Sequence, residues 1–519
     1  MEYRKRLLYL IGVASIVRIV IAATLELGND EVYYYTYALH LQSNYFDHPP
    51  GVAWLIKLFT FNLHFQSELF LRLGSIVCAA IGTVISFSIG KKIRNERTGW
   101  IAALLYNTSI YASVISGLFI LPDSPQIVFW LASLWLALLL IQSNNSVGKQ
   151  FLYWLLFGVM TGLCIMCKVH GGFLWIGLGL YALFYQRRLL MQPGLYIAAI
   201  FTAAIISPIY FWNVANNFIT WRFHSERVEV HSFSLDVDGF IQTISGQLFY
   251  NNPFNVVFIL IAVFVYRKRL FLQKPAYRLL SFCGWPIIIF TTVISLFRSV
   301  LPHWSGPGFV SLTFIAAAFI DERLQTKAKT AIKVYVKGAV VLILFVLIAG
   351  LVFINFFPGT TGSKEAASYG DGDFTLDMYG WKSFGKQFNQ WETQAIDSGQ
   401  INPSIKLVCD KWFPAAHLDY YVARPMNKYV AGVGKLTDLH QYAWLNTWRG
   451  GLEKNEDALC VIPGNNAEDP KLSYGKYFRE VVFMRRFTVL RGGKAARTFD
   501  VFVLRGFLGN DELHGQKFN

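Results

Sequence analysis

About eleven apolar runs of membrane-spanning length or slightly less, strung in series, leave this chain one broad class of fold. They lie at 7–25, 69–90, 100–120, 125–142, 151–167, 171–186, 194–212, 252–266, 279–297, 304–320 and 336–356. A helix needs about 20 mostly apolar residues to cross the hydrocarbon core. Backbone in lipid must satisfy its own hydrogen bonds, so such runs predict a bundle of transmembrane helices. The runs at 171–186 and 252–266 are short, so the count can shift by one or two. Only 15% of the residues are charged, against about 25% in soluble domains. The 16% aromatic content suits belts at two membrane interfaces.

The loops sort by charge. Alternate loops carry about nineteen Lys or Arg: Arg4–Arg6, 91–97, Lys149, Arg187-Arg188, 267–278 and 323–333. The intervening loops hold about five: Lys57, Lys168, Arg222, Arg227 and Arg298. The positive-inside rule places the first set, and the N-terminus, in the cytoplasm. The net charge of +15 is therefore topology information. No basic stripe or recognition motif accompanies it, and nucleic-acid binding is set aside. Segment 7–25 is read as an uncleaved first span rather than a signal peptide, because Arg18 interrupts it and an acidic motif follows at once.

The chemically suggestive residues all fall in the outer set of loops. Asn29–Gly51 is the densest, with Asp30-Glu31, a tyrosine run and the corner Asp47-His48-Pro49-Pro50. Acidic groups beside a span are costly and usually mark chemistry. A carboxylate at a desolvated boundary can act as a general base; Asn29 or Asp30 would equally cap a helix starting near Val32. The two prolines fix the aim of Asp47 and His48. That pair suits a hard divalent ion or a phosphate oxygen, or else Asp47 merely caps a Pro-initiated helix. Asp123 sits in the five-residue link 121–125, and Lys168-Val169-His170-Gly171-Gly172 makes a compact cation site. Trp221 to Arg227, with His224, and Pro302-His303-Trp304 add cations and aromatics. Each alone is as readily a snorkelling interfacial residue. Together they suit a base that activates a hydroxyl and a site for an anionic leaving group.

Helical spacing at 34–41 and 52–61 predicts short helices lying in the interface plane. Beyond residue 357 the composition turns polar. Short β-branched runs at 405–409 and 458–462, then 478–490 and 498–507 around a Gly-Gly pair, predict strands and a hairpin. The division expected is a membrane domain at 1–356 and a small soluble α/β domain at 357–519. Eleven spans place the latter outside the cytoplasm; ten or twelve would not. Cys78, Cys164, Cys167 and Cys283 read as small buried hydrophobes. Cys409 and Cys460 can pair only if their domain is extracytoplasmic.

At these residues the chain resembles the bacterial membrane glycosyltransferases related to protein mannosyltransferases, among them the aminoarabinose transferase of lipid A. The shared signatures are Asp30-Glu31-Val32-Tyr33-Tyr34, Tyr45-Phe46-Asp47-His48-Pro49, Pro122-Asp123, Lys168-Val169-His170-Gly171, Ser207-Pro208 through Trp212-Asn213, and His303-Trp304. The ordered set covers roughly residues 1–320.

The resemblance implies the GT-C fold: a multi-span α-helical membrane protein with interfacial helices and a small C-terminal α/β extracytoplasmic domain. It implies an inner-membrane enzyme with its site and C-terminal domain in the periplasm. A sugar would pass from a polyprenyl-phosphate donor, not a nucleotide, to a lipid A or lipopolysaccharide, glycan or protein acceptor. Membrane lipids would be its other partners. Asp30 would be the base, with inversion at the anomeric carbon, and Asp123 would position the acceptor. Glu31, Tyr33, Tyr45, His48, Lys168, His170, Arg227 and His303 would line the substrates. In some relatives an acidic corner residue and a later His bind a divalent metal, which here would be Asp47 and His224. The chain departs from the aminoarabinose enzyme in carrying His48 where that enzyme has Lys, and Tyr33 where it has Arg; phosphate contacts can therefore differ. A flippase for lipid-linked sugar and a catalytically inert scaffold are the competing readings. No internal repeat of the kind transporters show is present.

Overall fold

The apolar part of the chain is largely helical in a computed structural model that describes residues 2–141, 146–228 and 235–513. Its helices are α1 (Glu2–Thr24), α2 (Asn29–Leu39), α3 (Gly51–Phe59), α4 (Glu68–Ile93), α5 (Glu96–Thr108), α6 (Asp123–Leu140), α7 (Val147–Cys167), α8 (Phe173–Tyr185), α9 (Pro193–Ala215), α10 (Ile219–Val228), α11 (Val237–Tyr250), α12 (Pro253–Tyr266), α13 (Lys274–Ile294), α14 (Gly306–Arg323) and α15 (Lys329–Phe356). Each of the eleven apolar runs contains a helix. Among the described residues, eight are long and apolar enough to cross a membrane, or nine if the bent pair α11–α12 counts as one span.

The shortfall from eleven has local causes. α5 stops at Thr108 and gives way to a π-turn over Tyr111–Ile115. α8 is only 13 residues long. α12 is bent by 95° from α11. Asn252 makes that bend with φ at +63°, and its amide donates to the Thr108 and Ala339 carbonyls at 2.9 and 3.0 Å. Hydrophobicity alone does not register a helix that breaks where a side-chain amide takes over the backbone's hydrogen bonds.

By packing, the chain divides into two units, Met1–Ala23 with Leu41–Leu347 and Thr24–His40 with Ile348–Asn519. In the first, α14 is the core: Gly306 through Glu322 are all buried. Its small residues (Gly306, Gly308, Ser311, Ala316–Ala318) allow the close approach that holds helices together in lipid, where apolar burial between helices gains little. Arg18, inside α1, is buried and bonds Asn107 Oδ1 at 3.1 Å and Ser113 Oγ at 3.0 Å. The basic 91–97 loop is tied to α14: Arg94 and Asn95 reach Asp321 at 2.8 and 2.9 Å, and Arg97 pairs with the same carboxylate.

The second unit is built on a five-stranded mixed sheet. Its strands are β1 (Lys406–Cys409), β2 (Val430–Gly432), β3 (Ala458–Pro463), β4 (Phe478–Arg491) and β5 (Lys494–Phe507), in the order β2-β1-β3-β5-β4. β1 is parallel to both β2 and β3, and these strands are buried apolar runs, as strands covered on both faces must be. β4 and β5 form the hairpin expected from the sequence, turning on Gly492 and Gly493, both at positive φ. Arg491 is wholly buried and bonds Gly359 O, Thr375 Oγ1 and Asp373 Oδ2. It thereby fastens the Gly-Ser-Asp-rich stretch to the sheet. Cys409 and Cys460 are buried free thiols on adjacent strands.

Thr24–His40, read from the sequence as part of the first outer loop, packs within this second unit. α2 buries Glu31 through Ala38 without interruption. The helix α16 (Trp381–Asp397) follows α15 and precedes β1.

Candidate functional site

In the first unit, the polar residues lie at the helix ends the sequence assigned to the outer side. The corner 41–50 is braced by the start of α10. Thr220 Oγ1 donates to Tyr45 O at 3.0 Å, Asn44 Nδ2 donates to Thr220 Oγ1 at 2.8 Å, and Trp212 Nε1 donates to Gln42 Oε1 at 2.9 Å. Tyr45 is fully buried and its phenol oxygen accepts from Gln42 N at 3.1 Å; burial pushes that phenol up. Gly51 opens α3 directly against the end of α7. A Cβ there would stand 2.7 Å from both Cα and Sγ of Cys167. Only glycine lets the corner approach the turn that carries Lys168.

Lys168 Nζ lies 2.7 Å from Asp123 Oδ2, both side chains nearly inaccessible. Tyr111 donates its hydroxyl to the other oxygen, Asp123 Oδ1, at 3.1 Å. The π-turn aims that ring, and single π-turns inside α-helices recur at functional sites. Asp123 at the head of α6 thus has its charge compensated by the very lysine that the sequence offered as a substrate cation. His303 and His170 also lie in the electrostatic field of Asp123. His170 keeps a buried Nδ1 that has no hydrogen-bond partner among the described residues, and its ring packs on Trp304 at 5.6 Å. His303 lies 6.2 Å from the Tyr250 ring.

His48 is partly buried, its ring 6.0 Å from that of His224. Burial pushes its imidazole down to about 3; Asp47 and Asp123 oppose the shift, and His224 and Lys168 add to it. It is neutral at physiological pH and offers hydrogen bonds rather than charge. His224 Nε2 stands 2.6 Å from the main-chain oxygen of Asp47. Among the described residues no three His, Cys, Asp or Glu side chains are placed to share a metal ion. Asp47 and His224 are two ligands, short of a closed protein set, so a divalent ion there would draw the rest of its shell from water and substrate phosphate. The side chain of Arg227 lies outside the described residues.

Asp30, Glu31 and Tyr33 belong to α2 in the second unit. Glu31 is buried and closes the helix start by accepting Gly28 N at 2.9 Å, the N3 half of a capping box. Tyr33 is buried on Trp412, ring centroids 4.9 Å apart, and its oxygen accepts from Gln441 N at 3.3 Å. Asp30 is the exposed carboxylate at the head of this helix.

Its neighbours are fixed by residues the sequence did not flag. Asn29 Oδ1 accepts from His417 Nε2 at 2.9 Å. Leu27 N donates to Tyr421 Oη at 2.7 Å. Glu26 accepts from Trp381 N at 2.8 Å and Lys382 N at 3.3 Å, capping α16. Trp381 lies face to face between His417, at 4.3 Å, and the Arg497 guanidinium, at 4.0 Å. Burial holds His417 well below its ordinary value, with Arg497 adding to the effect, so it is neutral. Burial likewise lowers Arg497 to about 9, against Asp377, Glu26 and Asp373. Glu26 is the converse case: burial raises its carboxyl to about 7, more than the backbone donors of Trp381 and Lys382 lower it. A lone Glu two residues past a span gives no sign in sequence that it caps a helix 355 residues away.

This architecture defines an integral membrane protein of GT-C fold. The crystal structure of ArnT from Cupriavidus metallidurans bound to undecaprenyl phosphate matches it with a TM-score of 0.61, over 95% of this chain and 97% of that one at 16% identity. The apo state of the same protein matches with 0.58, over 96% and 98%, also at 16% identity. Residues 47–212 match the sequence model of the dolichyl-phosphate-mannose-protein mannosyltransferase family. The lipid A galacturonosyltransferase RgtD of Rhizobium johnstonii is 21% identical over 288 residues, 55% of this chain. The match spans 59% of the length of that relative.

Proposed function

We propose that this protein is an inverting glycosyltransferase of the bacterial inner membrane. It would move a sugar from a polyprenyl-phosphate donor to a lipid A, lipopolysaccharide, glycan or protein acceptor on the periplasmic side. The observation that carries the reading is the buried Asp123–Lys168–Tyr111 constellation with His48, His170 and His303 around it, on a GT-C fold. A linker between spans has no use for a desolvated ion pair ringed by histidines, because burying the pair is costly unless its geometry is used. The relatives support the substrate class: one is named for action on lipid A, and another was crystallised with undecaprenyl phosphate.

In this reading Asp30 removes the proton from the acceptor hydroxyl, whose oxygen attacks the anomeric carbon from the face opposite the phosphate. The carbon–oxygen bond to the lipid phosphate breaks, and both electrons leave with the phosphate. Tyr45, His48, His303 and Arg227 stabilise the departing oxygens. Asp123 orients the acceptor by holding Lys168 and Tyr111 in place. Lys168 and His170 bind substrate as well.

Purified full-length protein incubated with radiolabelled polyprenyl-phosphate sugar and outer-membrane lipid should transfer label to the acceptor. Asp30→Asn should abolish transfer while the protein remains folded. Full transfer by that variant removes the base assignment. Movement of unmodified donor across sealed vesicles, without transfer, replaces the enzyme by a flippase.

A further inference from the structure

We propose that the basic end of the bundle carries a dedicated site for an anionic phospholipid, between the first span and the helices beside it. A groove of about 830 Å³ opens there, and all of it lies in the first unit. It is made where four helix ends meet: the start of α1, the ends of α4 and α6, and the start of α7. This is the end that the positive-inside reading places in the cytoplasm.

The groove has a charged mouth and an apolar throat. Arg4, Lys91 and Lys92 stand at the mouth. One carboxylate is near them: Glu96 pairs with Lys91 at 2.7 Å and lies in the field of Arg4. Three cations against one carboxylate leave a surplus of two positive charges. Below the mouth, Leu8 and Ile11 face Val84 and Phe87 across the groove, and Trp135 forms the far wall. From Arg4 to Ile11 is seven residues, about 10 Å along the helix. Ser88, on the α4 wall, is spent on Val84 O at 2.9 Å, which leaves the Tyr153 hydroxyl and the Trp135 indole as the uncharged polar groups of the lining. A phosphate at the mouth and acyl chains in the throat satisfy both halves. Leu8, Val84 and Trp135 are exposed by 69%, 45% and 38%, so the throat opens laterally to lipid. Basic pockets between transmembrane helices are the setting in which anionic headgroups bind.

The neighbouring groove, on the other face of α1, supplies a control. It contains Lys5 and Arg6, but Arg6 is paired with Glu2. The site concerns a membrane phospholipid and does not depend on the sugar-transfer reading.

The test reconstitutes the full chain in nanodiscs of equal phosphatidylglycerol and phosphatidylcholine, then counts retained lipid by native mass spectrometry. The expected result is phosphatidylglycerol adducts in clear excess. Each cation removed from the mouth, Arg4→Gln or Lys92→Gln, should lower that excess about fivefold. Lys5→Gln should leave it unchanged. A photoactivatable phosphatidylglycerol should label peptides from 4–11, 84–92 and 135–139 in the unmutated protein, which keeps the proposal testable if a variant inserts poorly. Equal retention of the two lipids, an excess that survives both substitutions, or preferential retention of added polyprenyl phosphate at these peptides would overturn it.

Discussion

Glu26 should make the second unit less stable as the pH rises, and Glu26→Gln should remove that dependence. The carboxyl sits at about 7 against a free value of 4.5, so between those values the folded protein holds a proton that the unfolded chain has lost. Stability then falls with rising pH, in full effect above about 7. A difference of 2.5 units at about 1.36 kcal/mol each gives roughly 3 kcal/mol as an upper bound. Water at the partly exposed side chain reduces this to about 1–3 kcal/mol. Glutamine keeps one acceptor for Trp381 N and gives up the longer contact to Lys382 N, at a cost of about 0.5–1.5 kcal/mol.

The two melting curves should therefore cross. At pH 5 the variant is equal to or slightly weaker than the natural protein; at pH 8 it is stronger. At about 2–4 °C per kcal/mol for a domain of this size, the gain at pH 8 is several degrees. Tryptophan fluorescence of the full-length protein in nanodiscs reports it, since Trp381, Trp391 and Trp412 all lie in this unit. A constant difference between variant and natural protein from pH 5 to 8 would refute the argument.

Three further outcomes follow from buried geometry. Asp123→Asn or Lys168→Met alone should cost about 3–5 kcal/mol by stranding a buried charge, and the double substitution should recover much of the loss; detergent melts in a double-mutant cycle would detect it. Gly51→Ala should cost about 1–3 kcal/mol by overpacking against Cys167, and sugar transfer should fall while the protein still folds. Arg491→Met strands Asp373, whose carboxyl burial raises but whose hydrogen bonds from Thr375, Thr361 and Thr360 hold below the usual range. The natural protein should lose stability as the pH drops below about 4, the opposite sense to Glu26, and the variant should melt earlier at neutral pH.

The membrane half was legible because hydrophobic runs are a local signal. Each of the eleven runs contains a helix, and the short helices expected at 34–41 and 52–61 correspond to α2 and α3. The hairpin at β4 and β5 was legible from alternation and its Gly-Gly turn. What escaped was anything that joins distant segments. Tyr111 reads as one more aromatic in an apolar run until a π-turn points it at Asp123. Lys168 and Asp123 were each flagged, but 45 residues of separation hid that they neutralise one another. His417, Trp381 and Arg497 lie in a region whose sequence carries no signature, and their stack exists only once β5, α16 and the turn before β2 pack together.

The division into units changes what the C-terminal domain is for. Of the eleven residues of α2, eight are buried, including Val32, Tyr33, Tyr34, Tyr35 and Tyr37. The partners described for them, such as Trp412 for Tyr33 and Tyr420 for Tyr35, come from the second unit. An isolated eleven-residue helix is marginal in water, so its stability comes from this packing. Asp30 therefore owes its place to residues some four hundred positions later, while Lys168, Asp123 and the histidines owe theirs to the bundle. The second unit is therefore the scaffold of the helix that carries the proposed base. On the proposed reading, substitutions at Asn29, His417 or Trp381 should lower the rate of sugar transfer through the placement of Asp30.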